Sequence, residues 1–288
     1  MQKTSILNVN IDRVTYEQAI REIAMFLVNK KQNFVVTPNP EFLMAAQKDE
    51  EFKEILNAAD LAIPDGVGLL WAATMNELRI MNYELRMRRK IQLYLKALWV
   101  GIMLVLYPKY CQKIIPERVA GADLVWEIAR LAEQKKCSVY LLGAGDGVAM
   151  GVAVKLLKKY PNLKIAGAEE GITNYELRIT NKETDENRKL IARINRTKPD
   201  ILLVAFGQVK QEKWIWHNLA KIPSVKVAMG VGGTFDFIVG QARRAPLRMR
   251  KSGLEWFWRV VFQPWRLGRI FTATWKFGRA VINATIKK

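Results

Sequence analysis

The chain has 288 residues, half of them hydrophobic, with 46 Lys and Arg against 27 Asp and Glu and a formal net charge of +19. That much apolar material builds one large core or two small ones and excludes a disordered chain. Two cysteines, Cys111 and Cys137, and one histidine, His217, exclude a disulfide framework and a zinc site, and they point to a reducing compartment.

In chain order, the opening MQKTSILNVNIDRVTYEQAI holds no apolar stretch long enough for a signal peptide. It reads as a strand, SILNV, followed by a helix over Tyr16–Asn29, so the chain is expected to start in the cytosol. NFVVT reads as the next strand, then a loop TPNPE, a helix over Glu41–Asn57, a short strand LAI and a glycine loop PDGVG that carries Asp65. Beyond Met75–Ile115, helices are expected over Ala122–Lys135, Val148–Tyr160 and Thr184–Thr197, alternating with the strands SVYLL, LKIAGA, ILLVAF and VKVAMG. Alternation of this kind predicts an α/β fold, a mostly parallel, Rossmann-like sheet flanked by helices. Ligands of such sheets sit beyond the carboxyl ends of the strands, where TPNPE, PDGVG, GAGDG and FGQVKQE emerge.

Each loop has a plain structural reading beside the functional one. Asn39 and Pro40 suit the first turn of a helix. Gly143 and Gly145 suit a backbone that approaches a phosphate, although the full dinucleotide fingerprint is absent. Gln211 and Glu212, candidates for binding substrate, open a helix beside Lys210 whose polar first turn otherwise needs only water.

The charge is concentrated. Met75–Arg118 nets +6 and Gln241–Lys288 nets +11, which leaves a nearly neutral body carrying two basic attachments suited to an anionic partner. The first, residues 75–115, contains an apolar run over Ile91–Tyr107 whose length of about 25 Å falls short of a bilayer core of about 30 Å. A single crossing would put the two halves of one sheet on opposite sides of a membrane. The basic residues before it (Arg86, Arg88, Arg89, Lys90) and after it (Lys109, Lys113) favour one face, so the insert is expected to be a monotopic or re-entrant anchor. The alternatives are a hairpin packed on the body and an interface of a homo-oligomer. The second attachment, residues 241–288, is expected to form an amphipathic helix after Pro264. Arg269, Lys276 and Arg279 lie on one side of it, with Leu267, Phe271, Trp275, Phe277, Val281 and Ile282 on the other.

TPNPEF, IPDGVGLLWAA, PERVAGADLV, YLLGAGDGVA, KQEKWI, GVGGTFDFIVGQARRAP and GLEWFWRVVFQPWRLGR, in that order, closely resemble the WecG/TagA/CpsF family of bacterial glycosyltransferases. The resemblance covers nearly everything outside 75–115 and makes 1–74 and 116–240 the catalytic body. It implies transfer, with inversion, of an N-acetylmannosamine-type sugar from a UDP-sugar donor to an undecaprenyl-diphosphate-linked N-acetylglucosamine, in the synthesis of teichoic acid or another cell-surface polymer. It further implies Asp65 as the base and Thr37 and Asn39 in the same cleft. Arg118 would meet a phosphate or the acceptor, Gly232 and Gly233 would border the donor, and Arg243, Arg244, Arg259, Arg266 and Arg269 would form a basic appendage. An enzyme at the cytoplasmic face of the plasma membrane, peripheral or monotopic, follows from it.

No Asp-x-Asp motif occurs, so neither metal nor cofactor is expected, and arginines are left to meet the diphosphate. Gln208, Val209 and Ile172 stand where relatives commonly carry a small residue, proline and an aromatic, which leaves the donor open to another UDP-sugar. A basic protein for nucleic acid is the reading from a different class, and no recognition motif supports it.

Overall fold

The computed structural model describes residues 1–80, 89–171, 184–246, 249–250, 255–262, 264 and 267–286. The expected first strand is a hairpin: β1 (Lys3–Ile6) and β2 (Val9–Asp12) pair antiparallel around Leu7 and Asn8, both at positive φ. That two-residue turn matches strand twist, and Leu7 gives no sequence signal for it. The other runs form one sheet: β3 (Asn33–Val36), β4 (Leu61–Ala62), β5 (Ser138–Gly143), β6 (Lys164–Glu169), β7 (Ile201–Ala205) and β8 (Val227–Gly230). Their order is β4-β3-β8-β7-β5-β6 and every pairing is parallel.

Alternate side chains feed two cores because helices cover both faces. Val35, Leu141, Leu203 and Met229 pack under α1 (Tyr16–Phe26), α6 (Gly121–Lys135), α7 (Val148–Lys159) and α10 (Thr234–Val239). Phe34, Leu142, Leu202 and Ala228 pack under α2 (Pro40–Ala46), α3 (Glu50–Ala58), α4 (Val67–Ile80), α8 (Asp185–Thr197) and α9 (Lys210–Asn218). The expected helix over Glu41–Asn57 is two, because Asp49 starts α3 by accepting a hydrogen bond from the Phe52 N–H at 3.0 Å.

α4 extends into the insert, and Met75 is fully buried. α5 (Arg89–Leu106) then lies along α4. Trp71 of α4 donates its indole N–H to the Ala97 carbonyl at 3.0 Å, and Ala97 and Val100 are buried. The opposite side of α5 shows Leu95, Leu98, Trp99, Ile102 and Leu106 to the outside. Among the described residues no helix is long and apolar enough to cross a membrane.

The appendage differs more from expectation. After α11 (Glu255–Phe262) come α12 (Leu267–Phe271), a π-helical turn over Thr272–Lys276 and α13 (Phe277–Ile286) without a break. The apolar side chains divide between two stripes, as residues four apart stay together on a helix and residues two apart do not. Leu267, Phe271 and Trp275 are half or more exposed, whereas Phe277, Val281 and Ile282 are buried beside α4, the Phe277 ring 6.5 Å from that of Trp71. The end of the chain therefore belongs to the core as well as to the surface.

Gly143 ends β5 at φ +105°, and a Cβ there would sit 2.8 Å from the Ala205 carbonyl carbon. Gly143→Ala combines left-handed strain with a backbone clash, so stability should fall by about 2–4 kcal/mol, read as a lower urea midpoint at unchanged slope.

Candidate active site

A cleft of about 370 Å³ opens beyond the carboxyl ends of the strands. The loops after β3, β4, β5, β7 and β8 contribute Thr37 and Asn39, Asp65, Gly145, Gln208, and Gly232 with Gly233. Arg118 precedes α6, and Arg244, Glu255 and Arg269 reach in from the C-terminal segment. The strand order explains the convergence. β8 and β7 lie between β3 and β5, so loops distant in sequence come to one crevice.

At the β3–β4 side the first turn of α6 brings groups close. A Cβ placed at Gly121 would lie 3.5 Å from the Thr37 Oγ1 and 3.6 Å from the Asp65 Oδ2. The N-cap residue of α6, Ala120, has no side chain to cap with, so this end of the helix favours negative charge in the cleft. Asp65 is held by its backbone: its N–H donates to the Pro38 carbonyl at 2.9 Å. The Nε of Arg118 stands 3.7 Å from the Asp65 Oδ1, an ion pair too long for a hydrogen bond, while its Nη2 donates to the Glu255 Oε2 at 2.5 Å. Burial works against the Arg118 charge, but Asp65, Glu255 and Asp123 outweigh it and hold its pKa above the usual value. Arg244 grips Asp123 through its two terminal guanidinium nitrogens, Nη1 donating to Oδ1 at 2.5 Å and Nη2 to Oδ2 at 2.8 Å. Arg269 donates to the Glu41 Oε2 at 2.7 Å and to the Gln208 Oε1 at 3.1 Å, joining the C-terminal segment to the loops after β3 and β7.

Several residues expected at the site have structural work as well. The Asn39 Oδ1 caps α2, accepting from the N–H groups of Glu41 and Phe42 at 2.8 and 3.1 Å. Gly143 packs on β7 and does not line the cleft. Gln211 does line it, and its Oε1 accepts from the Gly232 N–H at 2.9 Å while its Nε2 donates to Glu212. Glu212 is fully buried; it accepts from the Val209 N–H at 2.7 Å and so ties α9 to a loop in which Val209 takes the unusual φ of +72°. Arg243 is exposed and outside the cleft. Arg266 and Ile172 lie outside the described residues, as does the side chain of Arg259. His217 pairs with Glu51 on the surface between α3 and α9.

Two acids that organise the site escaped the sequence reading, Asp123 and Glu255. Glu255 had a signal: it is the sole acid among the twelve basic residues of Gln241–Lys288.

The model of the glycosyl transferase WecG/TagA/CpsF family matches residues 4–88 and 85–288. The chain belongs to this family. The two matched segments overlap at residues 85–88, within 75–115. The N-acetylglucosaminyldiphosphoundecaprenol N-acetyl-beta-D-mannosaminyltransferase of Bacillus subtilis (strain 168) is 29% identical over 274 residues, 94% of this chain and 88% of the relative. The protein of the same description from Staphylococcus aureus (strain MRSA252) is 29% identical over 270 residues, 93% of this chain and 88% of the relative.

Burial pushes the Glu212 carboxyl up to about 7, against hydrogen bonds from Gln211 and Val209 that favour its charged form. The folded state thus holds this proton more tightly than the unfolded chain. Its contribution is full below about pH 4.5 and is lost as the pH rises to about 7. Urea melts across that range should show stability falling with pH through this group, and Glu212→Gln should remove that part of the slope.

Proposed function

We propose that this protein is an inverting glycosyltransferase that moves an N-acetylmannosamine-type sugar from UDP to N-acetylglucosaminyl-diphosphoundecaprenol. The observation that carries the reading is the meeting of Thr37, Asp65, Arg118 and the β5 and β8 glycine loops in one cleft, in a chain of this family whose relatives carry that activity in their names. The nucleotide sugar lies over the strand ends, its diphosphate facing Arg269 and the backbone at Gly232 and Gly233. Asp65 takes the proton of the acceptor hydroxyl as that oxygen bonds to the anomeric carbon. The bond from that carbon to the UDP oxygen breaks on the opposite face, and UDP departs. Arg118 orients Asp65 and Arg244 adds positive charge where the diphosphates meet.

The acceptor is a lipid, so the enzyme works at a membrane, and we place it at the cytoplasmic face as a peripheral protein. Support comes from the outward apolar side of α5, the exposed Trp256, Phe257, Val261 and Phe262 of α11 and the exposed stripe of α12, in a segment of high positive charge. α5 lies in the interface plane with one side on α4 and the other in lipid.

Purified protein given a panel of UDP-sugars and a lipid-diphosphate N-acetylglucosamine should yield a β-linked N-acetylmannosaminyl product, identified by mass and linkage; product from a different donor alone would replace that sugar, and no product would end the reading. Asp65→Asn should lower kcat by about 10² to 10⁴ with UDP binding nearly intact, since it removes proton acceptance with little change of shape. Activity should persist in a chelator.

Leu98→Glu with Trp99→Glu places two charges on the outer side of α5. Each large side chain seated in lipid contributes about 1.5–3 kcal/mol, so this variant should float with anionic liposomes at least tenfold less well and remain folded by circular dichroism. High salt should weaken wild-type flotation only in part.

A further inference from the structure

Glu212 does not line the cleft, yet three residues that do, Gln208, Gln211 and Gly232, are fixed through this one side chain. It is fully buried behind the loops after β7 and β8. Its Oε2 accepts from the Val209 N–H at 2.7 Å, the reach of a third helical residue back to the residue before the helix. Its Oε1 accepts from the Gln211 Nε2 at 2.7 Å, a contact that capping does not need. The Gln211 Oε1 in turn accepts from the Gly232 N–H at 2.9 Å.

This relay admits one arrangement. The Gly232 N–H can only donate and must meet the amide oxygen, whereas an ionised carboxylate can only accept and must meet the amide nitrogen. Glu212 thereby fixes which way round the Gln211 amide sits, and through it the start of the β8 loop. On its other side it holds Val209 at φ +72° and ψ −51°, a conformation that a β-branched residue keeps only where its surroundings impose it. The Oε1 of Gln208, next to Val209, accepts from the Arg269 Nη2 at 3.1 Å. Room for the buried pair comes from Gly230 at the end of β8, where a Cβ would stand 2.5 Å from both the Gln211 Nε2 and the Glu212 Oε1.

An acid is a costly residue for this position, because burial works against its charge. A glutamine of the same shape would be less costly to bury. It offers one acceptor oxygen to two donors, however, so either Val209 or the Gln211–Gly232 pair would lose its partner. What the carboxylate adds is a simultaneous hold on both loops.

Building on the transferase reading, which sets the nucleotide's diphosphate against Arg269 and the backbone at Gly232 and Gly233, we infer that Glu212 is a positioning residue for the donor. It acts through Gln208, Gln211 and Gly232, and it leaves the acceptor side around Asp65 and Arg118 alone.

The test combines calorimetry with UDP and hydrogen exchange read by mass spectrometry, both on the full-length protein. Glu212→Gln should weaken UDP binding by about fivefold or more. It should raise the KM for the UDP-sugar in proportion, with kcat and the acceptor KM within about twofold of the wild type. Exchange should quicken in peptides covering 207–212 and 230–233 and stay unchanged in those covering 33–36 and 138–143 of the sheet. Val209→Gly frees the strained residue, so Val209→Gly with Glu212→Gln supplies a folded background should the single variant unfold. Its UDP Kd should again lie about fivefold or more above that of Val209→Gly alone. Unchanged UDP affinity in these variants, an equal rise in both KM values, or exchange that quickens throughout the sheet would overturn the inference. Because the exchange readout needs neither UDP nor sugar transfer, its failure is distinct from a failure of the transferase reading, which shows as a wild type that gives no product with any donor.

Discussion

A guanidinium taken out of water has to be matched by carboxylates, and Arg118 is matched by two that come from opposite ends of the chain. Asp65 belongs to a strand end in the first quarter of the sequence, and Glu255 to a helix in the last tenth or so. Removing either partner leaves an uncompensated buried charge, which is costly in a low-dielectric wall. Joining them through one arginine makes the position of Asp65 depend on the docking of the C-terminal segment. Asp123 repeats the device one turn into α6, where it gathers Arg244 and Arg250. The active site is thereby assembled across the junction of body and appendage rather than within either.

The sheet was legible because buried parallel strands leave unmistakable apolar runs, and helices between them have strong caps such as Thr184 and Asn39. Asp65 was legible as a lone acid at a strand end, and the glycines as markers of close backbone. What sequence periodicity could not show was any register change without a sequence signature. The Leu7-Asn8 turn lies within an otherwise regular strand pattern, and the π turn over Thr272–Lys276 lies within an otherwise regular helix pattern. The broad apolar side expected of this helix takes in Trp275 and Phe277 together, yet residues two apart lie about 200° apart on a helix, and one is surface and the other core. Ion pairing is equally hidden, since a wheel or a loop shows that an arginine is present but not which distant acid has claimed it.

α5 illustrates how a largely apolar helix is accepted by the core along one side only. Its inner side offers small residues, Ala97 and Gly101, to Trp71, and that one indole is also neighbour to Phe277. Trp71 therefore ties together the insert, α4 and the last helix. The outer side is free to differ in chemistry because nothing in the described fold rests on it.

The order of strands has a consequence for how the molecule comes into being. β3 pairs with β8 through contacts such as Asn33 with Val227, and the loop closed by that pair costs about 5 kcal/mol of chain entropy before any contact repays it. Until β7 and β8 leave the ribosome, the pairs β3 with β4 and β5 with β6 have no strand between them to complete the sheet. Through that interval the apolar side of α5 has already emerged. A chaperone holding α5 would shield it while the halves wait, so the same outward side chains that the folded protein leaves uncovered are also a hazard before the sheet closes.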